Sequence, residues 1–126
     1  KISDDEIEFM TGEKDIKTGV KKLIDEYHIP FICATMGKNG SMAFFDGHIV
    51  EAAPFLRDDT VETTGAGDTF CACLLHDVLE HGINDRKDDD VKKMLTFANA
   101  AASLITTRKG ALRVMPAKGE VEAVIK

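Results

Sequence analysis

Residues 31–36 form a short run, Phe-Ile-Cys-Ala-Thr-Met, that is almost entirely apolar and lies between Pro30 and Gly37. A run without a polar face is typical of a strand that is buried on both faces of a sheet. A strand of this kind needs other structure packed above and below it. Helical patterns precede and follow the run, so the sequence predicts an α/β domain.

Periodicity predicts five helices and a hairpin around this strand. Ser3, with Glu6 three residues later, predicts the start of a first helix that ends at Gly12. Apolar spacings of three and four predict further helices over residues 15–27, 68–82, 91–105 and 117–125, with a charged linker over 84–90. The apolar stripe of the third helix consists of Cys71, Leu74, Leu75, Val78 and Leu79. Residues 41–45 and 48–52 predict a β-hairpin closed by Asp46 and Gly47.

Charge and composition exclude two classes of partner. Sixteen basic and twenty-two acidic residues give a net charge of −6, which argues against a nucleic-acid binder because that class needs a basic surface. No apolar run approaches the ~20 residues that a membrane span requires, so no membrane partner is predicted. Cys33, Cys71 and Cys73 lack the spacing of a disulfide framework and predict reduced thiols in a cytoplasmic protein.

The chemistry is concentrated in residues 63–70, where an extended segment meets the third helix. Gly65, Ala66 and Gly67 allow a sharp turn and a close approach of the backbone to a ligand. The first turn of a helix also offers unpaired N–H groups and the positive end of the helix dipole. The segment therefore predicts an anion site, and phosphate is the commonest biological occupant.

Asp68 has two interpretations within this anion site. It can simply cap the helix, as Asp often does. Alternatively, it is a general base that takes the proton from a hydroxyl attacking a terminal phosphoryl group. Two other glycine loops do not match: a dinucleotide fingerprint needs Gly where Phe70 stands, and Gly37-Lys38-Asn39 breaks the P-loop pattern.

Four segments in order resemble the motifs of the ribokinase-like (pfkB) carbohydrate kinases, most closely their fructokinase members. Residues 63–70 resemble the C-terminal signature, and residues 35–40 resemble the Thr-x-Gly-x-x-Gly turn. Residues 97–102 and 107–111 resemble the adenine-side helix and loop, and residues 1–12 resemble the segment that holds an Asn-x-x-Glu motif. The resemblance implies a Rossmann-type three-layer α/β/α domain with a mainly parallel sheet and a β-hairpin.

The resemblance also implies roles for individual residues. Asp68 is the implied catalytic base, with an anion hole formed by the N–H groups of Gly65, Ala66 and Gly67. The implied ATP contacts are Thr35, Gly37, Gly40, Asn99, Lys109 and Gly110. Glu6 is implied to organise Mg²⁺ through water. At the position of Glu62 the family has an Asp that belongs to the site of a monovalent cation such as K⁺. The longer side chain of Glu62 puts that cation site in doubt for this chain.

The resemblance implies an ATP-dependent, fructokinase-like sugar kinase, of which residues 1–126 form the C-terminal nucleotide-binding and catalytic part. The sugar-binding part and the lid have no candidate in this chain, so the isolated chain is expected to be inactive and to self-associate. The full-length enzyme is expected to be a homodimer. The alternatives are a non-catalytic nucleotide-binding or regulatory module, or a kinase of ribose, nucleoside, ketodeoxygluconate or phosphosugar.

Overall fold

A four-stranded sheet between two layers of helices forms the fold, and the computed structural model describes all 126 residues. The strands are β1 (Ile2–Ser3), β2 (Phe31–Thr35), β3 (Ser41–Phe45) and β4 (His48–Ala52). The helices are α1 (Asp4–Thr11), α2 (Ile16–Tyr27), α3 (Ala66–His81), α4 (Asp88–Ile105) and α5 (Lys118–Ile125). Short 3₁₀ turns occur at Gly37–Asn39 and Leu112–Val114. The predicted α/β class is confirmed.

The sheet has the order β1-β2-β3-β4 and is mixed. β1 pairs with β2 in parallel, whereas β2–β3 and β3–β4 are antiparallel. The prediction of a mainly parallel sheet is therefore wrong for this chain. The connections explain why, because the short links after Thr35 and Phe45 can only join antiparallel neighbours, and parallel neighbours need a longer crossover.

Each face of the sheet is covered by a pair of helices, as a three-layer arrangement requires. Ile32 and Ala34 of β2 face α1 and α2, and Cys33 faces α3 and α4. The first face buries Ile7, Val20, Leu23, Ile32, Ala34, Met42 and Phe44. The second buries Cys33, Ala43, Phe45, Val50, Ala52, Phe70, Leu74, Val91, Met94, Leu95 and Ala98. β2 is thus buried on both faces, as its apolar sequence predicts.

α5 adds a further contact on the outer side of α4. Ala100, Ala101 and Leu104 of α4 pack against Val121 of α5 in a small separate cluster. Alanines at this contact let the two helices approach closely. None of the helices is long and apolar enough to cross a lipid bilayer.

Two details of the helices differ from the sequence prediction. α3 buries Phe70 and Leu74, whereas Leu75 and Leu79 of the predicted stripe are 60% and 86% exposed. α3 has apolar residues around most of its circumference, so periodicity does not determine which side faces the sheet. α4 begins at Asp88, inside the predicted linker, because acidic side chains in a first turn are favoured by the helix dipole.

Candidate functional site

The turn at the start of α3 presents backbone donors that have no partner in the chain. Gly65 is the N-cap residue, with φ 83° and ψ −2°, and no side chain caps the helix. The Ala66 N–H donates to the carbonyl oxygen of Thr63 at 3.3 Å, and the Thr69 N–H donates to that of Gly65 at 2.9 Å. The N–H groups of Gly65, Gly67 and Asp68 have no protein acceptor. Three free donors at the positive end of a helix dipole are an arrangement that can bind an anion, and residues 63–68 are named the anion-binding turn for this reason.

Asp68 lies in the first turn of α3, and its side chain is exposed. The capping interpretation of this residue is wrong, since Gly65 occupies the N-cap position and no side-chain cap exists. The Asp68 carboxylate makes no hydrogen bond or ion pair with the rest of the chain. It is therefore a free proton acceptor within one helical turn of the unpaired N–H groups.

Both glycines of this turn are close to other parts of the chain. A Cβ atom at Gly65 would lie 3.1 Å from the Cβ of Ala111, and one at Gly67 would lie 3.3 Å from the Nζ of Lys1. The ammonium group of Lys1 thus adds positive charge beside the free donors. Sequence reasoning missed Lys1, because only the tertiary fold places residues 1 and 67 together.

The predicted nucleotide contacts of the Thr35–Gly40 segment and Asn99 are brought together at the end of β4. Gly40 is buried with φ 90°, and a Cβ atom there would overlap the carbonyl oxygen of Ala52. Asn99 Nδ2 donates to the carbonyl oxygens of Ala52 at 3.3 Å and Ala53 at 3.0 Å. Gly37 has φ 53° and open space around it. Gly40 and Asn99 therefore approach the same short backbone stretch, Ala52–Ala53.

Glu6 lies near the same end of the sheet, within the capping box of α1. Its Oε2 accepts the Ser3 N–H at 2.7 Å, and Ser3 Oγ accepts the Glu6 N–H at 3.3 Å. The hydrogen bond from the Ser3 backbone is the main cause that lowers the pKa of Glu6. Ser3 at the end of β1 pairs with Thr35 at the end of β2, so the carboxyl ends of the two strands lie side by side. Glu6 follows three residues after the end of β1. Oε1 of Glu6 remains free for a ligand.

Glu62, Lys109 and Gly110 meet beside the anion-binding turn. The N–H groups of Val61 and Glu62 both donate to the carbonyl oxygen of Thr106, at 2.8 and 3.0 Å. The Gly110 N–H lies 3.4 Å from Glu62 Oε2 and donates to it. The pKa of Glu62 is lowered first by the hydroxyl of Thr64, then by the Gly110 N–H and the charge of Lys109.

The predicted site residues do not line either of two grooves on the molecule. A groove of about 680 Å³ lies between α3, α4 and α5, and another of about 840 Å³ lies beside α2 and the hairpin. Neither groove includes any predicted site residue. The chain also has no group of three or more His, Cys, Asp or Glu side chains placed so that they could hold a metal ion. A divalent ion at Glu6 would need its remaining ligands from water and phosphate, which suits Mg²⁺.

Comparison with known proteins places the chain in a family. A sequence profile described as pfkB family carbohydrate kinase matches residues 1–118. The chain is 34% identical over 124 residues to the fructokinase of Klebsiella pneumoniae and 31% identical over 126 residues to probable fructokinase-2 of Arabidopsis thaliana. These matches cover 97% and 100% of this chain.

The fold has solved counterparts as well. The fructokinase of Vibrio cholerae O395, in its fructose, ADP and calcium ion bound form, matches with a TM-score of 0.82 at 25% identity. That match covers 98% of this chain and 39% of the Vibrio chain. This chain likewise spans 39% and 38% of the length of the Klebsiella and Arabidopsis relatives.

Proposed function

The chain belongs to the pfkB family of carbohydrate kinases, and on that premise we propose that it forms the nucleotide-binding and catalytic part of a fructokinase-like sugar kinase. The reaction transfers the γ-phosphoryl group of MgATP to a sugar hydroxyl. The observation that carries the proposal is the first turn of α3, where the free Asp68 carboxylate adjoins unpaired N–H groups. Fructokinase relatives support fructose as the acceptor.

Asp68 acts as the general base in this proposal. Its carboxylate takes the proton of the sugar hydroxyl as the new O–P bond forms and the bond from the γ-phosphorus to the β–γ bridging oxygen breaks, which releases ADP. General-base catalysis of this kind contributes on the order of 10²–10⁴-fold to a rate. The absence of an ion pair supports the role, because a carboxylate free of partners can approach the substrate hydroxyl.

The donors of the turn stabilise the charge that develops on the phosphoryl oxygens. Gly65, Gly67 and Asp68 contribute free N–H groups, and the Lys1 ammonium adds positive charge. The Ala66 N–H already donates to Thr63, so Ala66 mainly fixes the shape of the turn. The positive φ of residue 65 and its close approach to Ala111 both favour glycine at this position.

The remaining predicted residues bind the nucleotide in this proposal. The turn from Thr35 to Gly40 lies along the phosphates, Asn99 lies near the adenine, and Lys109 and Gly110 border the nucleotide. Glu6 holds Mg²⁺ through water with its free Oε1, and that ion neutralises charge on the β- and γ-phosphates when bound. The proximity of Glu6 to the end of β2 supports this placement.

The test uses a chimaera, since this chain spans 39% of the Klebsiella fructokinase. Residues 1–126 replace the matching segment of that enzyme, and phosphorylation of fructose by MgATP is measured. We expect activity in the chimaera and a loss of at least ~10²-fold in kcat for Asp68→Asn, with ATP affinity unchanged. Asp89→Asn is the matched control, since Asp89 is an exposed carboxylate in the first turn of α4.

Retention of turnover by the Asp68→Asn chimaera would overturn the role of Asp68. A panel of fructose, ribose, a nucleoside, ketodeoxygluconate and a phosphosugar tests the acceptor. Binding of ATP by the chain, with no sugar phosphorylated by the chimaera, would favour the alternative of a non-catalytic nucleotide-binding or regulatory module.

A further inference from the structure

We infer that Glu62 joins residues 61–65 directly to residues 106–111, so that this chain holds the anion-binding turn without the monovalent cation that the family resemblance implies. The inference concerns the link between these two segments and does not depend on the proposed reaction. It is based on the hydrogen bonds of Glu62 and Thr106, the charge of Lys109 and the packing of Gly65.

Two oxygen atoms beside residues 61–62, the Thr106 carbonyl and Glu62 Oε2, are already used as acceptors. A carbonyl oxygen has two lone pairs. That of Thr106 accepts the N–H groups of both Val61 and Glu62, at 2.8 and 3.0 Å. Monovalent cations are held by oxygen atoms, chiefly carbonyls that replace the hydration shell. The Thr106 carbonyl is therefore not free to act as a cation ligand.

Residue 110 turns a hydrogen-bond donor toward Glu62. The Gly110 N–H donates to Glu62 Oε2 at 3.4 Å, so on this side the Glu62 carboxylate faces a backbone donor. Gly110 has φ 115°, a conformation that favours glycine and allows this orientation. The Thr64 hydroxyl and the positive charge of Lys109 also stabilise the carboxylate, as the lowered pKa of Glu62 reflects. Protein groups thus favour the charged form of Glu62.

The 106–111 segment is also fixed from its other side. Arg108 Nη1 donates to the carbonyl oxygen of Val114 at 3.0 Å, and Nη2 donates to Glu120 Oε1 at 2.5 Å. Between these attachments, Ala111 lies in close contact with Gly65, where an added Cβ would be 3.1 Å from that of Ala111. Displacement of the 106–111 segment would therefore alter the position of Gly65 and of the donors that follow it.

The test measures opening of the 106–111 segment by limited trypsin digestion, with cleavage after Arg108 and Lys109 identified by mass spectrometry. Wild type is compared in potassium, sodium and choline chloride at equal ionic strength, and melting is followed in the same salts. We expect the same cleavage rate and the same melting temperature in all three. Slower cleavage or a higher melting temperature in potassium chloride would overturn the inference.

Variants of Glu62 test the link itself. Glu62→Ala removes the acceptor of the Gly110 N–H, and loss of one hydrogen bond should raise cleavage at these sites about fivefold. Glu62→Gln keeps an acceptor oxygen and should remain close to wild type. Glu122→Ala, a change of an exposed residue on α5, is the matched control. Unchanged cleavage in a folded Glu62→Ala would contradict the inference.

Two features keep this test interpretable. If Glu62→Ala does not fold, the salt comparison of wild type and Glu62→Gln still decides the inference. No ATP or sugar is present in the digestion, so failure of the proposed kinase function would leave these results unchanged. Conversely, a potassium effect on cleavage would overturn the inference while leaving the role of Asp68 intact.

Discussion

Asn99 and Ala53, 46 residues apart in the chain, are joined by a hydrogen bond of 3.0 Å from Nδ2 of Asn99 to the carbonyl oxygen of Ala53. The same nitrogen reaches the carbonyl oxygen of Ala52 at 3.3 Å. Both amide hydrogens are thus used, and α4 is attached to the point where the chain leaves β4. The residue that the resemblance assigns to the adenine side therefore also fixes the start of the segment that leads to Gly65.

Removal of this link should destabilise the fold. Asn99→Ala removes the side-chain donor shared by these two carbonyl oxygens and should lower the free energy of unfolding by about 1–2 kcal/mol. Asn99→Asp should lower it further, because a carboxylate would face the same two oxygens. Urea denaturation followed by circular dichroism measures both changes. Asn84→Ala, at an exposed residue, is the control and should stay within ~0.5 kcal/mol of wild type. An Asn99→Asp variant as stable as wild type would contradict the structural role.

Gly40 and Gly37 offer a matched pair for testing the turn after β2. Both have positive φ, but a Cβ atom at Gly40 would overlap the carbonyl oxygen of Ala52, whereas Gly37 has no atom within 4 Å of such a Cβ. Gly37→Ala should therefore lower the free energy of unfolding by about 1 kcal/mol, the cost of placing alanine at positive φ. Gly40→Ala should lower it by more than about 3 kcal/mol, because the added Cβ also overlaps the backbone. Thermal melting of the two variants compares them. Equal decreases in melting temperature for the two variants would show that Gly40 does not lie in close contact with β4.

The buried thiol of Cys33 predicts a loss of stability in alkaline solution. Burial raises the pKa of Cys33 to about 12, from 9.0 for an unperturbed thiol. The folded state thus holds its proton where the unfolded chain loses it, so this contribution is fully present below pH 9 and falls as the pH rises toward 12. Urea denaturation at pH 8, 9, 10 and 11 should show a steeper decline in wild type than in Cys33→Ala. Parallel declines in the two proteins would refute this prediction.

The exposed leucines of α3 predict self-association of the isolated chain. Leu75 and Leu79 lie one turn apart and are 60% and 86% exposed, so they form an apolar strip outside the core. Replacement of both by Gln should reduce the oligomeric fraction in sedimentation velocity without lowering the melting temperature. Leu112→Gln is the control, since Leu112 is 84% exposed but lies outside α3. Identical sedimentation of wild type and the double variant would exclude this surface as the cause.

Local sequence signals predict much of the fold. The apolar run at β2, the hairpin turn at Asp46 and Gly47, and the glycine caps at Gly12 and Gly82 each depend on a few neighbouring residues. β1 was missed because two residues are too few to show a pattern, and its pairing with β2 depends on tertiary structure. For the same reason, periodicity alone did not distinguish the buried side of α3 from its exposed side.

In the candidate site, too, the features that depend on neighbouring residues were predictable from the sequence, and those that depend on distant residues were not. The glycines and Asp68 of the turn are adjacent in sequence, and the free N–H groups follow directly from a helix start at Gly65. The approach of Lys1 to Gly67 and of Asn99 to the end of β4 joins residues far apart in the chain. Such contacts become visible only when the sheet and both helical layers are in place.

The double acceptor at Thr106 links two distant segments, so we expect them to open together in local unfolding. The amide protons of Val61 and Glu62 lie in a stretch without regular secondary structure, yet both are hydrogen-bonded to one oxygen. Neither can exchange with solvent deuterium until residues 61–62 separate from the end of α4. Slow and equal exchange at these two positions would therefore report the opening of the whole anion-binding region, because protection within one cooperative unit is lost together.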